Sequence, residues 1–310
     1  MIELQLKLLG DSIRNERFYD ALKKSIKAGA STVSDIGSGT GFLSFLASKL
    51  GARECYLYEF ESDVLALSAE LAKLNGIKNC TFIEGYSQDV RKPVRTDIVV
   101  SETLGNFALE EHILETLQDA QRFLKPGGVM IPALLEQYVS PVTSGRVLSE
   151  INVWDRVGYE LNMAAGKKAT LNNIFVYKIA PDELFDGGKT ARIWDTIHFM
   201  KKESSVRNGT VEWKAEKDAT IYGFALWWVS ELIKNVRLST SPLTPATHWD
   251  QIFMPITTPF AVKKGETVRL KVSSDTRFAV GMRVTWEAQV ISSTKKTLHR
   301  VAMDTALGIQ

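Results

Sequence analysis

The chain has 310 residues, of which 45% are hydrophobic and 24% are charged, and its net charge is +2. This composition is typical of a globular protein and excludes collagen, a coiled coil and a disordered chain. No apolar run approaches the ~18 residues of a membrane span, and the first residues lack the basic-then-apolar order of a secretory signal. The small net charge argues against nucleic acid as the main partner. We therefore expect a protein with neither a membrane nor a nucleic-acid partner.

The chain has only two cysteines, Cys55 and Cys80, and their spacing matches neither a CxxC motif nor a Cys/His metal site. Sparse, unpatterned cysteines are typical of reducing compartments. The sequence therefore predicts a cytoplasmic protein without a bound metal.

The two halves of the chain differ in composition. Residues 1–132 carry 15 Lys and Arg against 18 Asp and Glu, a net charge of −3, whereas the remainder carries 23 against 18, a net charge of +5. All seven tryptophans lie after residue 132. We therefore predict two domains, at residues 1–132 and 133–310.

The first half alternates short apolar strands with helical stripes closed by glycine or proline. The predicted strands are 32–36, 55–58, 80–83 and 97–100, and the predicted helices are 42–50, 63–74 and 110–124. Repeated strand–helix units with short connections predict an α/β fold with a Rossmann-like, doubly wound parallel sheet. Ligands of such sheets bind beyond the carboxyl ends of the strands.

The second half changes to strict alternation of apolar and polar residues, most clearly at 280–290 and 268–272. Such alternation predicts half-buried antiparallel strands. Further strand candidates are 222–229 and 251–256. An all-β domain follows, either a barrel or a sandwich. The stretch 155–185 fits neither pattern and is predicted to leave the β-domain as an excursion.

A glycine motif lies between the first strand and its helix. Asp35 is followed by Gly37, Gly39 and Gly41 in the spacing DxGxGxG. Glycines here permit a tight turn and let a ligand approach the backbone near helix amides. The GxGxG spacing differs from the dinucleotide GxGxxG pattern and argues against NAD.

An acidic residue follows the next strand about 20 residues later. Glu59 stands at the strand end, where a carboxylate accepts hydrogen bonds from a ribose diol. Glu61 is the alternative candidate. For either residue, the interpretation without a binding role is an ordinary solvated surface carboxylate. DxGxGxG followed by this acid resembles the pattern of class I S-adenosylmethionine-dependent methyltransferases.

Two further carboxylates frame the segment after the fourth strand. Glu102 follows the strand directly, and Glu111 comes nine residues later, near a predicted helix start. A carboxylate in the first turn of a helix is commonly a surface residue favoured by the helix dipole. The arrangement SExxGxxxxEExxL, however, resembles the double-glutamate loop of the protein arginine methyltransferases.

Two more segments carry the same resemblance. Thr-His-Trp at 247–249 matches that family's Thr-His-Trp loop, and LLGDSIR at 8–14 matches the segment ahead of its glycine motif. The resemblance implies that Arg14 binds the methionine carboxylate of the cofactor. It also implies that His248 lies beside the substrate pocket, paired with Asp11, and that Gln88 faces the adenine amino group.

The resemblance implies a function. The chain is expected to be an S-adenosylmethionine-dependent N-methyltransferase acting on the guanidino group of arginine in a protein or peptide. Glu102, Glu111, His248 and Asp11 are its expected catalytic residues. A homodimer is expected, formed through an arm at about 155–185. Two alternatives stay open: methylation of free arginine or another small guanidino or amine metabolite, and a catalytically weak cofactor-binding scaffold.

The chain also departs from the family pattern. Thr103 stands where a tryptophan usually follows the first loop glutamate, and Asn106 stands where a tyrosine usually follows the loop glycine. No counterpart of the family's tyrosine-rich segment is found ahead of residue 8. These departures do not affect the prediction that S-adenosylmethionine is the methyl donor. They concern the identity of the methyl acceptor.

Overall fold

The computed structural model describes residues 2–308. In the first half it contains these helices and strands: α1 Ile2–Gly10, α2 Ser12–Ser25, β1 Thr32–Ile36, α3 Phe42–Lys49, β2 Glu54–Glu59, α4 Ser62–Leu74, β3 Cys80–Glu84, β4 Thr96–Ser101, α5 Ile113–Ala120 and β5 Leu124–Ile131. In the second half it contains these: β6 Leu134–Val142, α6 Arg146–Ile151, α7 Ala164–Leu171, β7 Phe175–Tyr177, β8 Arg192–His198, β9 Val206–Lys214, β10 Ala219–Ile233, β11 Val236–Ser239, β12 Gln251–Val262, β13 Thr267–Asp275, β14 Arg283–Ile291 and β15 Thr297–Asp304.

The first five strands form a parallel sheet in the order β3-β2-β1-β4-β5. Strand β1 is buried along its whole length, because helices cover both faces of the sheet. In the register of the sheet Ile36 lies opposite both Tyr58 and Ser101, so β1, β2 and β4 end at one edge. The chain order reverses between β1 and β4, and an open α/β sheet binds its ligands at such a point. The predicted Rossmann-like sheet is confirmed.

One predicted helix is wrong in its bounds. The segment 110–124 becomes helix α5 only from Ile113 to Ala120, followed by a single 3-10 turn. The helix starts late because the Glu110 carboxylate accepts the Asn106 amide and holds the preceding residues in a turn, and His112 adopts a left-handed φ of 56°. The Lys-Pro-Gly-Gly segment, predicted to end the helix, lies inside β5. Pro126 lies on an edge strand where the register with β4 shifts between Leu124 and Val129, and sheets accept proline at edges and bulges.

The second half contains two antiparallel sheets. Strand β10 is the long central strand of one sheet and pairs with β6, β12 and β11, while β15, β14, β13 and β9 form the other in that order. The indole of Trp286 in β14 donates to the carbonyl of Pro255 in β12 at 2.8 Å and ties the sheets together. The predicted all-β architecture, barrel-like rather than a flat sheet, is confirmed. Six strands of this half were not predicted, namely β6, β7, β8, β9, β11 and β15, and the strand predicted at 280 begins at Arg283.

The segment 155–185 folds locally. Helix α7 packs against the turn at Trp154, whose indole donates to Thr170 Oγ1 at 2.7 Å. Ile174, Phe175 and Tyr177 of the predicted arm pack against the chain's own core, because β7 pairs with β12. The large apolar side chains left exposed in this segment are Tyr159, Leu161 and Val176, at 90%, 61% and 49%.

Candidate active site

A cavity of about 410 Å³ opens at the edge of the sheet where β1, β2 and β4 end. The glycine loop after β1 forms one side, and the segment after β4 forms another. Helix α1 contributes Gln5, Leu8 and Leu9 to the lining. The cavity is lined by these residues predicted from the sequence: Arg14, Asp35, Gly37, Gly39, Glu59, Gln88, Glu102 and Glu111.

The glycine loop needs its glycines. Gly37, Gly39 and Gly41 have φ values of 71°, 53° and 82°, which L side chains rarely adopt. A Cβ at Gly41 would lie 2.3 Å from Ser68 Oγ, and one at Gly39 would lie 3.1 Å from the Gln5 amide. Gly41 is not part of the cavity lining. It precedes the first residue of α3, and its lack of a side chain allows α3 to start close to Ser68 of α4.

Glu59 is held by the backbone around it. Its Oε2 accepts the Gly39 amide at 2.8 Å and its Oε1 accepts the Glu61 amide at 3.0 Å. The side chain is buried but lies on the cavity wall. These two bonds fix the carboxylate at the end of β2 beside the glycine loop, whereas Glu61 contributes its backbone to the arrangement.

Asp35 is bonded to α3 through one of its two carboxyl oxygens. Ser44 donates both its amide and its hydroxyl to Asp35 Oδ2, at 3.2 and 2.7 Å. Burial raises the pKa of Asp35 to about 7, although the bonds from Ser44 oppose the rise. Asp35 therefore links the start of α3 to β1. It is almost fully buried and forms only a small part of the cavity wall.

Gln88 lies beyond β3 in a 3-10 turn, and the Arg122 guanidinium donates to the carbonyls of Ser87 and Gln88 at 2.6 and 3.3 Å. Next to it, Phe60 and Tyr86 stack with ring centroids 4.9 Å apart and an interplanar angle of 7°. Both rings line the cavity and are about half exposed. Sequence reasoning missed this pair; the signal was an aromatic residue directly after the strand-end acid.

Glu102 is paired with Arg14. The Arg14 Nε donates to Glu102 Oε2 at 2.7 Å, and its Nη2 donates to the same oxygen. Both side chains are buried. Within residues 2–308, the one hydrogen bond to Glu102 Oε1 comes from the Leu104 amide, at 3.3 Å. The residue expected to bind the cofactor carboxylate therefore contacts one of the two carboxylates expected to bind the acceptor.

Glu111 lines the same cavity and keeps an exposed surface there. Partial burial of its carboxyl, together with the neighbouring negative charges of Glu102 and Glu110, raises its pKa to about 7. Near neutral pH the carboxyl is therefore close to half protonated, and a bound cation would favour the charged form. Glu111 can bind a positive charge and can also accept a proton.

Asp11 and His248 contact each other but are not among the residues that line the cavity. The His248 amide and Nδ1 lie 2.8 and 2.7 Å from Asp11 Oδ2, and the Arg14 amide donates to Asp11 Oδ1 at 2.9 Å. Burial would raise the pKa of Asp11, but these bonds and the His248 charge lower it below its usual value. The pair joins the start of α2, and hence Arg14, to the loop before β12.

The loop that carries both glutamates is fastened to the second half. The Trp249 indole donates to the Leu104 carbonyl at 2.7 Å, and the Trp228 indole donates to the Gly105 carbonyl at 3.0 Å. The backbone amide of residue 250 donates to Asn106 Oδ1 at 2.9 Å. The sequence analysis named Trp249 only as part of the Thr-His-Trp motif and predicted neither indole contact to this loop.

Within residues 2–308, no group of three or more His, Cys, Asp or Glu side chains could hold a metal ion. In the same range no helix is long and apolar enough to cross a membrane.

Two family models match the chain. One, described as a methyltransferase domain, matches residues 27–168, and the other, described as the arginine methyltransferase oligomerization subdomain, matches residues 136–287. The histone-arginine methyltransferase CARMER of Drosophila ananassae is 27% identical over 283 residues, which is 86% of this chain and 53% of that protein. CARMER of Anopheles gambiae is 27% identical over 281 residues, 86% of this chain and 45% of that protein. The chain therefore spans about half the length of these relatives.

Solved structures have the same fold. The Trypanosoma brucei PRMT1 enzyme-prozyme complex with AdoHcy superposes with a TM-score of 0.85 at 20% identity, covering 97% of both chains. The Arabidopsis thaliana protein arginine methyltransferase 10 superposes with a TM-score of 0.81 at 20% identity, covering 98% of both chains.

The sheet order, the glycine loop and the acid at the end of β2 are those of a class I methyltransferase domain. This domain runs into a barrel-like half that the arginine methyltransferase model matches. The chain belongs to the protein arginine methyltransferase family.

Proposed function

We propose that the chain is an S-adenosylmethionine-dependent N-methyltransferase that acts on the guanidino group of arginine in a protein or peptide. The observation that carries the proposal is one cavity with Glu59 and the glycine loop at one side and Glu102 and Glu111 at another. A cofactor and a cationic acceptor can therefore meet in the same enclosed space.

The residues fit the cofactor. The volume of about 410 Å³ lies in the range of small-molecule sites. Glu59 is fixed where a ribose diol can donate to it, and Ser38 Oγ, beside the cavity, has no hydrogen-bond partner among the described residues. Gln88 is proposed to accept the adenine amino group and Arg14 to bind the methionine carboxylate. The cofactor supplies an electrophilic methyl group on its sulfonium.

The two glutamates suit a guanidinium. This group has a pKa above ~12 and is always charged, so it is a poor nucleophile. Carboxylates on its planar fork accept charge-assisted hydrogen bonds and draw the positive charge towards the bonded nitrogens. Glu102 Oε1 and the Glu111 carboxyl are the acceptors available at the cavity. The third nitrogen is left with the electron density needed for in-line attack, and positioning supplies much of the rate.

The proton lost by the methylated nitrogen needs an acceptor. Glu111, with a pKa of about 7, is matched to that task near neutral pH. Asp11 and His248 contact neither Glu102 nor Glu111 in the hydrogen bonds of the described residues, and we assign them to positioning Arg14.

Assembly forms part of the proposal. The match to an oligomerization subdomain and the exposed Tyr159 and Leu161 support a homodimer in which the arm at 155–185 docks on a second copy. We keep the domain division at residues 1–132 and 133–310 and a cytoplasmic location as further proposals. The location rests on the two free thiols.

The test is methyl transfer from labelled S-adenosylmethionine to a panel of arginine peptides and to free arginine, read by mass spectrometry. The proposal expects label on the guanidino nitrogen of peptides. Label on free arginine alone would favour the small-metabolite alternative. Cofactor binding without any transfer would favour a scaffold.

A further inference from the structure

The two cysteines of the chain lie directly opposite each other. Cys55 in β2 and Cys80 at the start of β3 are paired in the parallel register. Neighbouring strands lie about 4.8 Å apart, within the Cα separation of disulfide-bonded cysteines, about 4.4–6.8 Å. Both are free thiols.

We propose that Cys55 and Cys80 are a modification site, at which a hydroperoxide converts the thiol pair into a disulfide and thereby weakens cofactor binding. The second part of the proposal rests on the proposed function, since it requires a cofactor site at the adjacent sheet edge. The first part depends only on the register and on the two thiols.

The two thiols differ in a way that suits such chemistry. Cys55 is fully buried, whereas Cys80 is partly exposed. The neighbouring Cys55 thiol lowers the pKa of Cys80, although burial opposes this, whereas Cys80 and burial both raise the pKa of Cys55. Cys80 is therefore the first thiolate and the one that an oxidant reaches.

The reaction balances with one hydroperoxide. The Cys80 thiolate attacks the peroxide oxygen, the O–O bond breaks, and a sulfenic acid forms as hydroxide or alkoxide leaves. The Cys55 sulfur then attacks the Cys80 sulfur, an S–S bond forms, and the sulfenic oxygen leaves as water with the proton of Cys55. Two thiols are oxidised and one peroxide is reduced.

The pair connects to the cavity through short paths. Cys55 Sγ donates to the Ser44 carbonyl at 3.6 Å, and Ser44 holds Asp35 at the foot of the glycine loop. Glu59 lies four residues beyond Cys55 on β2, and Gly85, which lines the cavity, lies five beyond Cys80. A disulfide removes the bond to Ser44 and brings the two Cβ atoms to about 3.8 Å. Both changes act on the strands that end at the cofactor site.

The first experiment counts thiols. The full chain is reduced, treated with stoichiometric hydrogen peroxide, alkylated after denaturation and analysed by intact mass and peptide mapping. We expect a monomeric chain that has lost two hydrogens and contains one peptide cross-linked through residues 55 and 80. Two alkylated cysteines, a sulfinic acid at Cys80 beside a free Cys55, or an intermolecular bond would each overturn the proposal.

The second experiment measures S-adenosylhomocysteine binding by calorimetry before oxidation, after it and after re-reduction. We expect affinity to fall about threefold or more on oxidation, from the movement of strands that a disulfide geometry demands, and to return on reduction. Cys55→Ala and Cys80→Ser, which cannot cross-link, should bind equally well with and without peroxide.

Equal affinity of the oxidised and reduced wild type would disprove the link to the cofactor site. A reduced chain that binds no S-adenosylhomocysteine would instead contradict the proposed function, while the thiol count would still decide whether the disulfide forms.

Discussion

The two ends of the cavity are built in different ways. At the glycine-loop end, Glu59 is held by amides of residues 39 and 61, all within the first half of the chain. At the double-glutamate end, the loop is held by Trp228 and Trp249 of the second half. The proposed cofactor end is therefore held within the Rossmann-like half, whereas the proposed acceptor end is held by the barrel-like half.

The largest effect is expected at the acceptor end. Glu111→Gln removes the charge that would face the guanidinium, and we expect turnover to fall on the order of 10²–10³-fold. Cofactor affinity by calorimetry should stay near that of the wild type. The matched control is Glu110→Gln, which keeps an acceptor for the Asn106 amide and should retain activity. Robust guanidine methylation by Glu111→Gln would remove this residue from the mechanism.

The second effect belongs to the cofactor end. Glu59→Ala and Gly39→Val should each weaken S-adenosylhomocysteine binding at least about tenfold, equivalent to ~1.4 kcal/mol. Glu61→Ala is the control, since residue 61 supplies only its backbone amide to Glu59. If the Glu61 variant lost affinity and the Glu59 variant did not, the ribose site would have to be reassigned.

The third effect tests whether the barrel-like half shapes the acceptor end. Trp249→Phe deletes the donor to the Leu104 carbonyl, a bond worth about 1 kcal/mol, and we expect kcat/KM for peptide to fall about fivefold with unchanged cofactor affinity. Trp286→Phe deletes a similar indole bond inside the second half, to Pro255, and should leave kcat/KM unaltered. Equal losses in both variants would point to general destabilisation.

The smallest effects concern pH. The pKa of Glu111 is raised to about 7, so kcat/KM for a cationic peptide should rise as pH increases through that value and then level off. The Glu111→Gln variant should lack this limb. A wild-type profile that is flat between pH 6 and about 8 would contradict the assignment.

Asp35 gives a second pH prediction, in which stability falls with rising pH where the activity was expected to rise. Its folded-state pKa of about 7 lies above the unfolded value, so the folded chain binds more protons in between. Stability should therefore fall as pH rises from about 4 to about 7 and stay level above. Asp35→Asn should flatten this slope in denaturant titrations.

The sequence predicted the parallel sheet, the all-β half and the family, because periodicity and the glycine motif are local patterns. It could not predict that α5 starts at Ile113, since that depends on Glu110 folding back onto Asn106. The Arg14–Glu102 pair and the indole bonds join residues that are 88 to 145 positions apart, a separation that no local pattern encodes. The roles of the cavity-lining residues predicted from the sequence stay predictions until the variants are measured.

Asp11 divides its two oxygens between the halves of the chain: one caps helix α2 through the Arg14 amide, and the other accepts from His248. The residue that caps α2 is therefore also bonded to the barrel-like half. Unfolding should consequently be cooperative across both halves, with a single calorimetric transition. Because the pKa of Asp11 is lowered in the folded chain, its contribution to that cooperativity is present above its unfolded value and is lost as pH falls through the folded one. Acid should therefore weaken this link between the two halves, and Asp11→Asn should reduce that pH dependence in calorimetric melts.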